Sequence, residues 1–292
     1  MASRQQDIAG IERRLRQRLG RFLHISDSVV PSLPAAITPI SVATNEVLRL
    51  LRDAGLHAYI WGGVVRDLIA ARRIRLPRDV DIVVDGARND DVWRILQHLP
   101  SRRNRFGGVH VEGAVEFDVF AVPDAWTFRS GFFPAGIEYL PRTTFLDVEA
   151  VVVDTEVSRG RARRVFSHGF FESMADRRIE INYQNNPYPA LCIVRSFEIA
   201  RHLDFAIGHR LAAYLVTESA RFSGVQLEEA QRSHYGAIKY TERDIRQLVA
   251  SIKAQVESDS ERISLPGSSM SQGSLWLASR SRIETGEKGP TL

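Results

Sequence analysis

Cysteine is nearly absent from this chain. Cys192 stands alone, which excludes an intramolecular disulfide and any cysteine-rich zinc cluster. Lysine is almost as scarce, with Lys239, Lys253 and Lys288 the only three among 39 basic residues. Arginine therefore carries the positive charge. Its planar fork suits phosphate groups, although a bias towards GC-rich codons is the simpler cause. No apolar run is long enough to span a bilayer, and the first residues lack the apolar core of a signal peptide. A cytoplasmic location is the resulting expectation. No internal repeat is evident.

The 292 residues can form one large or two modest domains, and 44% hydrophobic with 25% charged residues is an ordinary globular balance. The net charge of +4 is unevenly spread. Residues 1–24 hold Arg4, Arg13, Arg14, Arg16, Arg18 and Arg21 against Asp7 and Glu12, so the remainder sums to zero. No broad basic surface is implied.

Residues 59–86 carry the clearest chemistry. Tyr59, Ile60 and Trp61 favour a strand, Gly62 and Gly63 follow, and Val64, Val65, Leu68 and Ile69 recur at helical spacing through 64–73. A strand, a tight glycine turn and a helix are expected. Glycine lets the backbone approach a ligand closely, and the start of the helix offers unpaired N–H groups to a phosphate. Arg66 lies in the first turn, within reach of the same phosphate. Further on, Val80, Ile82 and Val84 alternate with Asp79, Asp81 and Asp85. Asp79 and Asp81 share one face of a strand with Cα atoms ~7 Å apart. Two such carboxylates suit a pair of Mg²⁺ ions ~4 Å apart. A third carboxylate comes from the strand around Phe117, where Glu116 and Asp118 share the face opposite Val115, Phe117 and Val119. Asp118 is the first choice and Glu116 the fallback.

Gly-Gly-x-Val-Arg-Asp followed by Asp-x-Asp resembles the head domain of the nucleotidyltransferase superfamily. It is most similar to class II tRNA nucleotidyltransferases (CCA-adding enzymes) and bacterial poly(A) polymerases. Gly62, Gly63, Arg66 and Asp67 match the first part of the motif, and Asp79 and Asp81 match its metal-binding pair. Asn104 to Gly108, the Glu116–Asp118 strand and Asp124, Ala125 and Trp126 extend the resemblance over roughly residues 40–205. It implies catalytic and metal-binding roles for Asp79, Asp81 and Asp118. It implies nucleotide binding by Gly62, Gly63, Arg66, Asp67, Arg142 and Arg195, with Asp67 equally able to serve as a partner of Arg66. Mg²⁺ or Mn²⁺ is the implied cofactor, and an NTP and RNA are the implied partners.

The fold class expected is α+β, a small mixed β-sheet nucleotidyltransferase head flanked by helices and followed by an α-helical neck-like region. Residues 1–40 read as a basic amphipathic helix (Ile8, Ile11, Leu15, Leu19, Phe22, Leu23) and a Ser/Pro-rich linker. Docking on the body of the protein is the favoured place for that helix. Residues 41–186 form the head, beginning with a helix over 41–54 closed by Gly55. A helix is expected over 90–99, and Arg102, Arg103 and Arg105 cluster beside Gly107 and Gly108 as either a phosphate contact or a solvated loop. Leu146 to Asp154 is β-rich and reads as strand, and Arg159, Gly160 and Arg161 are expected to turn it back to Val165 and Phe166 as a hairpin. Residues 187–257 turn helical, with Ile193, Val194, Phe197, Ala200 and Leu203 as a core stripe and Arg195, Glu198 and His202 on another face. Residues 258–292 lack periodicity and are expected to be disordered.

The chain departs from the family pattern at two segments. The counterpart of the family's ribose-contacting segment is Arg142–Thr143–Thr144–Phe145, which lacks the second Arg and the Asp. Where the family reads the Watson–Crick edge of CTP and ATP, this chain has Pro189 and Cys192, which cannot make those charged hydrogen bonds. The resulting expectation is transfer of NMP to an RNA 3′-end by an enzyme that does not perform standard CCA addition. Transfer to a protein or small-molecule hydroxyl, or a non-catalytic nucleotide- or RNA-binding role, are the alternatives.

Overall fold

The alternating run around Ile82 sits at the middle of a sheet. The structure, a computed structural model, describes residues 2–23, 38–70, 79–156 and 162–267. Most of the expected linker (24–37), the turn at Arg159–Arg161 and residues 268–292 lie outside the described residues. Among the described residues, seven strands run in the order β3-β4-β5-β2-β1-β6-β7. They are β1 (His57–Trp61), β2 (Asp79–Asp85), β3 (Ser101–Arg103), β4 (Val109–Val111), β5 (Glu116–Ala121), β6 (Val151–Asp154) and β7 (Val165–Ser167). β2 pairs parallel with β5, and all other neighbours in this sheet are antiparallel. The sheet is therefore mixed, as the sequence suggests, and β6 and β7 form the expected hairpin.

One face is apolar across the five inner strands. Ile60, Val80, Ile82, Val84, Val119, Val151 and Val153 point into the main core, where burial of each side chain contributes roughly 1.5–3 kcal/mol. Helices α1 (Ala2–Phe22), α2 (Thr38–Asp53), α3 (Gly63–Ala70) and α4 (Asn89–Leu96) contribute to that core. Ile11, Leu15, Leu19 and Phe22 bury the apolar stripe of α1, which packs against α3 and against α6 (Phe170–Asp176). The basic amphipathic helix thus docks on its own fold. α2 ends as expected: Gly55 takes φ +79°, and the N–H groups of Gly55 and Leu56 reach back to Arg52 and Leu51 carbonyls.

The opposite face is divided. Tyr59, Val83 and Val152 are covered by a smaller cluster with Val122, Phe128, Ile137 and Leu140, supplied by the segment around the short α5 (Trp126–Arg129). The remainder of that face carries the carboxylates. Beyond the sheet come α7 (Pro189–Leu203), α8 (His209–Ser219), α9 (Gly224–Tyr235) and α10 (Glu242–Glu257), with a two-stranded ladder of β8 (Arg178–Ile179) and β9 (Ala206–Ile207). The expected core stripe of α7 is buried at Ile193, Val194, Phe197, Ala200 and Leu203. Two expectations need correction. Residues 258–267 are packed rather than disordered, because Ile263 bridges to Ile207 and both Ile263 and Leu265 are buried. Residues 146–150 do not run as strand: Asp147–Glu149 form a 3-10 turn before β6 begins.

Candidate active site

Strand register decides which carboxylates meet. In the parallel β2–β5 pair, Asp79 stands opposite Glu116 and Asp81 opposite Asp118, so all four side chains leave the same face of the sheet. Asp81 is the half-buried centre of this group. Its pKa is pushed well above the usual carboxylate range, first by burial and then by the negative charges of Asp79 and Asp118, with Arg195 offsetting part of the effect. Glu116 is more exposed and stands 3.8 Å from His110 Nε2. Asp118 Oδ1 accepts a hydrogen bond from Asn104 Nδ2 at 3.1 Å and lies 3.1 Å from His110 Nδ1. The register thus favours Asp118 over Glu116 as the partner of Asp81.

An excess of negative charge on an all-oxygen donor set fits a hard divalent cation. The side chains are not drawn together, however. Among the described residues no three His, Cys, Asp or Glu groups gather closely enough to hold a metal ion. Asp118 is turned to Asn104 and His110 instead.

The glycine bend lies directly over Asp81. Gly62 adopts φ +66°, a left-handed conformation that disfavours any side chain, and a Cβ there would sit 3.8 Å from Asp81 Oδ2. Its N–H donates to the Val151 carbonyl, and its own carbonyl accepts from Arg66 N, which closes the first turn of α3. Gly63 opens that helix beside the Arg66 guanidinium.

A chain of charged groups runs from α3 to α9. Arg66 donates from Nε to Asp67 Oδ1 and from Nη1 to Glu149 Oε1, both at 2.7 Å. The same Glu149 oxygen accepts from Arg195 Nη2 at 2.6 Å. His234 Nε2 lies 3.3 Å from Arg195 Nη1, and His202 Nε2 lies 3.2 Å from Asp67 Oδ1. Burial alone would raise the Asp67 pKa, but the Arg66 charge and the His202 hydrogen bond hold it well below the usual carboxylate range. Glu149 is likewise held down by Arg195 and Arg66 against its burial, and Glu149 in turn raises Arg195. Asp67 therefore sits with Arg66 and His202.

Arg142 is elsewhere. It is exposed on the 3-10 turn Leu140–Thr143, with its guanidinium 6.0 Å from the Tyr139 ring centre, and it does not join this network. Pro189 is the first residue of α7, and Cys192 is buried with its thiol pushed up to about 12 by burial. Trp61 pairs with Asp81 across β1 and β2, packs edge-on to Phe120 at 5.3 Å, and buries an indole N–H that has no partner among the described residues. Of the expected arginine cluster, Arg102 pairs with Glu112 and Arg103 with Asp90, while Arg105 lies over aromatic rings.

Glu149, His234 and His110 also join these groups and were not singled out from sequence, whereas Asn104 and His202 were named there without a role at the site. Glu149 did leave a signal, as one of two acids, with Asp147, within the otherwise apolar run Phe145 to Val153.

Among solved structures, a CCA-adding enzyme complexed with CTP superposes with a TM-score of 0.54 at 15% identity, over 84% of this chain and 55% of that one. The Thermotoga maritima CCA-adding enzyme complexed with tRNA gives a TM-score of 0.53 at 16% identity, over 80% and 54% respectively. The fold is that of a class II tRNA nucleotidyltransferase head. This nucleotidyltransferase-like chain spans a little over half the length of those two structures. No protein-family model matches it, and no curated protein matches it in sequence. No described helix of the nucleotidyltransferase fold is long and apolar enough to cross a membrane.

Proposed function

We propose that this chain is a metal-dependent nucleotidyltransferase that moves NMP from an NTP to the 3′-hydroxyl of an RNA and releases pyrophosphate. The observation that carries the reading is the Asp81–Asp118 register beneath the Gly62 bend, with Asp79 on the same face. Mg²⁺ or Mn²⁺ held by Asp79, Asp81 and Asp118 would supply charge neutralisation and acidify the attacking hydroxyl. The chain's own groups do the rest. Backbone N–H groups at Gly63 and the start of α3 receive the triphosphate, while Arg66 and Arg195 exchange part of their pairing with Glu149 for phosphate oxygens. Asp67 holds Arg66 in place. In-line placement and fixed positive charge lower the barrier.

Pro189 and Cys192 favour a second reading, because no charged edge-reading pair stands at the start of α7. In that reading the chemistry is kept but the acceptor is a protein or small-molecule hydroxyl. Incubation with each labelled NTP, Mg²⁺ or Mn²⁺, small RNA and lysate protein separates the two. Label on RNA 3′-ends supports the first reading, and label on protein or a small molecule supports the second. Metal-dependent labelling that survives in Asp79→Asn/Asp81→Asn would remove both.

A further inference from the structure

One guanidinium at the mouth of the site lies against two rings. Arg105 Cζ is 4.1 Å from the Tyr188 ring centre and 5.0 Å from that of Phe106, and the two rings meet edge-to-face at 5.8 Å. Both rings stay open to solvent, Phe106 at 41% and Tyr188 at 36% exposure. Among the described residues Arg105 is held by these rings rather than by a carboxylate, whereas Arg102 and Arg103 are neutralised by Glu112 and Asp90.

The loop that carries Arg105 and Phe106 is pinned to the carboxylates. Asn104 donates to Asp118, and its Oδ1 accepts from the N–H groups of Phe106 and Gly108. Gly108 lets the loop lie flat, since a Cβ there would come within 2.9 Å of the Val119 carbonyl. Tyr188 caps α7 and shares a helical stripe with Cys192 and Arg195. At 1.5 Å per residue it stands about 10 Å along the helix from the Arg195 that pairs with Glu149.

We propose that Arg105, Phe106 and Tyr188 form a stacking platform for one nucleobase, held by its π face rather than by its hydrogen-bonding edge. Aromatic rings backed by a cation take any base, because every base offers a π face. Pro189, which follows Tyr188, and Cys192, one turn along the stripe, add no charged or amide group that would discriminate between bases. The base belongs either to the incoming NTP or to the 3′-end of the acceptor. The proposal takes its ligand class from the nucleotidyl-transfer reading, and its test does not depend on turnover.

Fluorescence anisotropy on the full chain, with non-cleavable analogues of all four NTPs and a short single-stranded RNA, gives that test. Tyr188→Ala and Phe106→Ala are expected to weaken binding about ten- to a hundredfold, nearly equally for the four bases, while Tyr188→Phe keeps wild-type affinity. A loss confined to the NTP analogues assigns the base to the incoming nucleotide, and a loss confined to RNA assigns it to the acceptor. Either result supports the platform. Wild-type affinity for both ligands in Tyr188→Ala, a loss in Tyr188→Phe equal to that in Tyr188→Ala, or no binding by the wild type overturns it. A chain that binds in a Tyr188-dependent way but transfers no label loses the transfer reading and keeps the platform.

Discussion

A carboxylate shared by two guanidiniums contributes mainly through what its removal would leave behind. Glu149 accepts from both Arg66 and Arg195, and Arg66 is nearly buried. Glu149→Gln leaves two positive charges facing each other in a partly dry site, at a cost of about 3 kcal/mol in urea unfolding. The pH dependence follows from the same pairs. Asp67 and Glu149 have folded pKa values below their unfolded ones. Their contribution is present above about pH 4 and is lost as pH falls through the folded values. Asp147 has the opposite sign. Burial raises it to about 7, so its ionisation costs stability progressively as pH rises from about 4 to 7. Asp147→Asn keeps an acceptor for the Glu180 N–H, which Oδ1 takes at 2.9 Å. The variant is expected to match wild type at pH 4 and to exceed it by on the order of 1–3 kcal/mol at pH 8. Equal unfolding free energies at pH 8 would remove the buried-acid account.

At the level of whole elements, α1 and α7 show how far periodicity reaches. The apolar stripe of α1 was evident in sequence, and the structure buries Leu15 and Leu19 completely. Leu15→Ala is expected to cost about 2–5 kcal/mol, through lost transfer energy and the cavity left behind. Asp176→Ala removes the exposed ion pair with Arg4 and is expected to leave the melting temperature unchanged. The difference between these two melting shifts measures how far α1 is held by its apolar face rather than by the Arg4–Asp176 ion pair. The polar side of α7 was less legible. Its sequence shows Arg195 and His202 on one face but does not reveal that Glu149 and Asp67 wait opposite, 46 and 135 residues away. Cys192 offers a probe of this packing. Its thiol is buried and pushed up to about 12, so at pH 8 it should react with a thiol reagent only after unfolding. Rapid labelling of the native protein would show that the packing of α7 against α8 and α9 opens.

For the molecule as a whole, alternation fixes which face of a strand carries acids but leaves strand order open. Asp79 and Asp81 were legible as one face of β2, while the parallel pairing that sets Asp118 beside Asp81 depends on β5 crossing to a non-sequential neighbour. Residues 258–267 were illegible for a different reason. Two apolar anchors, Ile263 and Leu265, order a segment that has no periodic pattern at all. The common face of these acids has a consequence that needs no substrate. The Asp81 anion is disfavoured first by loss of solvent and then by the charges of Asp79 and Asp118, so a divalent cation that binds the folded chain relieves repulsion and stabilises it by mass action. At a hundredfold excess over Kd the gain is about 2.7 kcal/mol. Mg²⁺ or Mn²⁺ is therefore expected to raise the melting temperature of the wild type. Asp81→Asn removes the central charge and is expected to melt higher than wild type without metal and to lose the metal response. Thermal unfolding with and without Mg²⁺ checks both. A metal response retained in Asp81→Asn would place the cation elsewhere, and a lower melting point of that variant without metal would show that Asp81 is held by its neighbours rather than repelled by them.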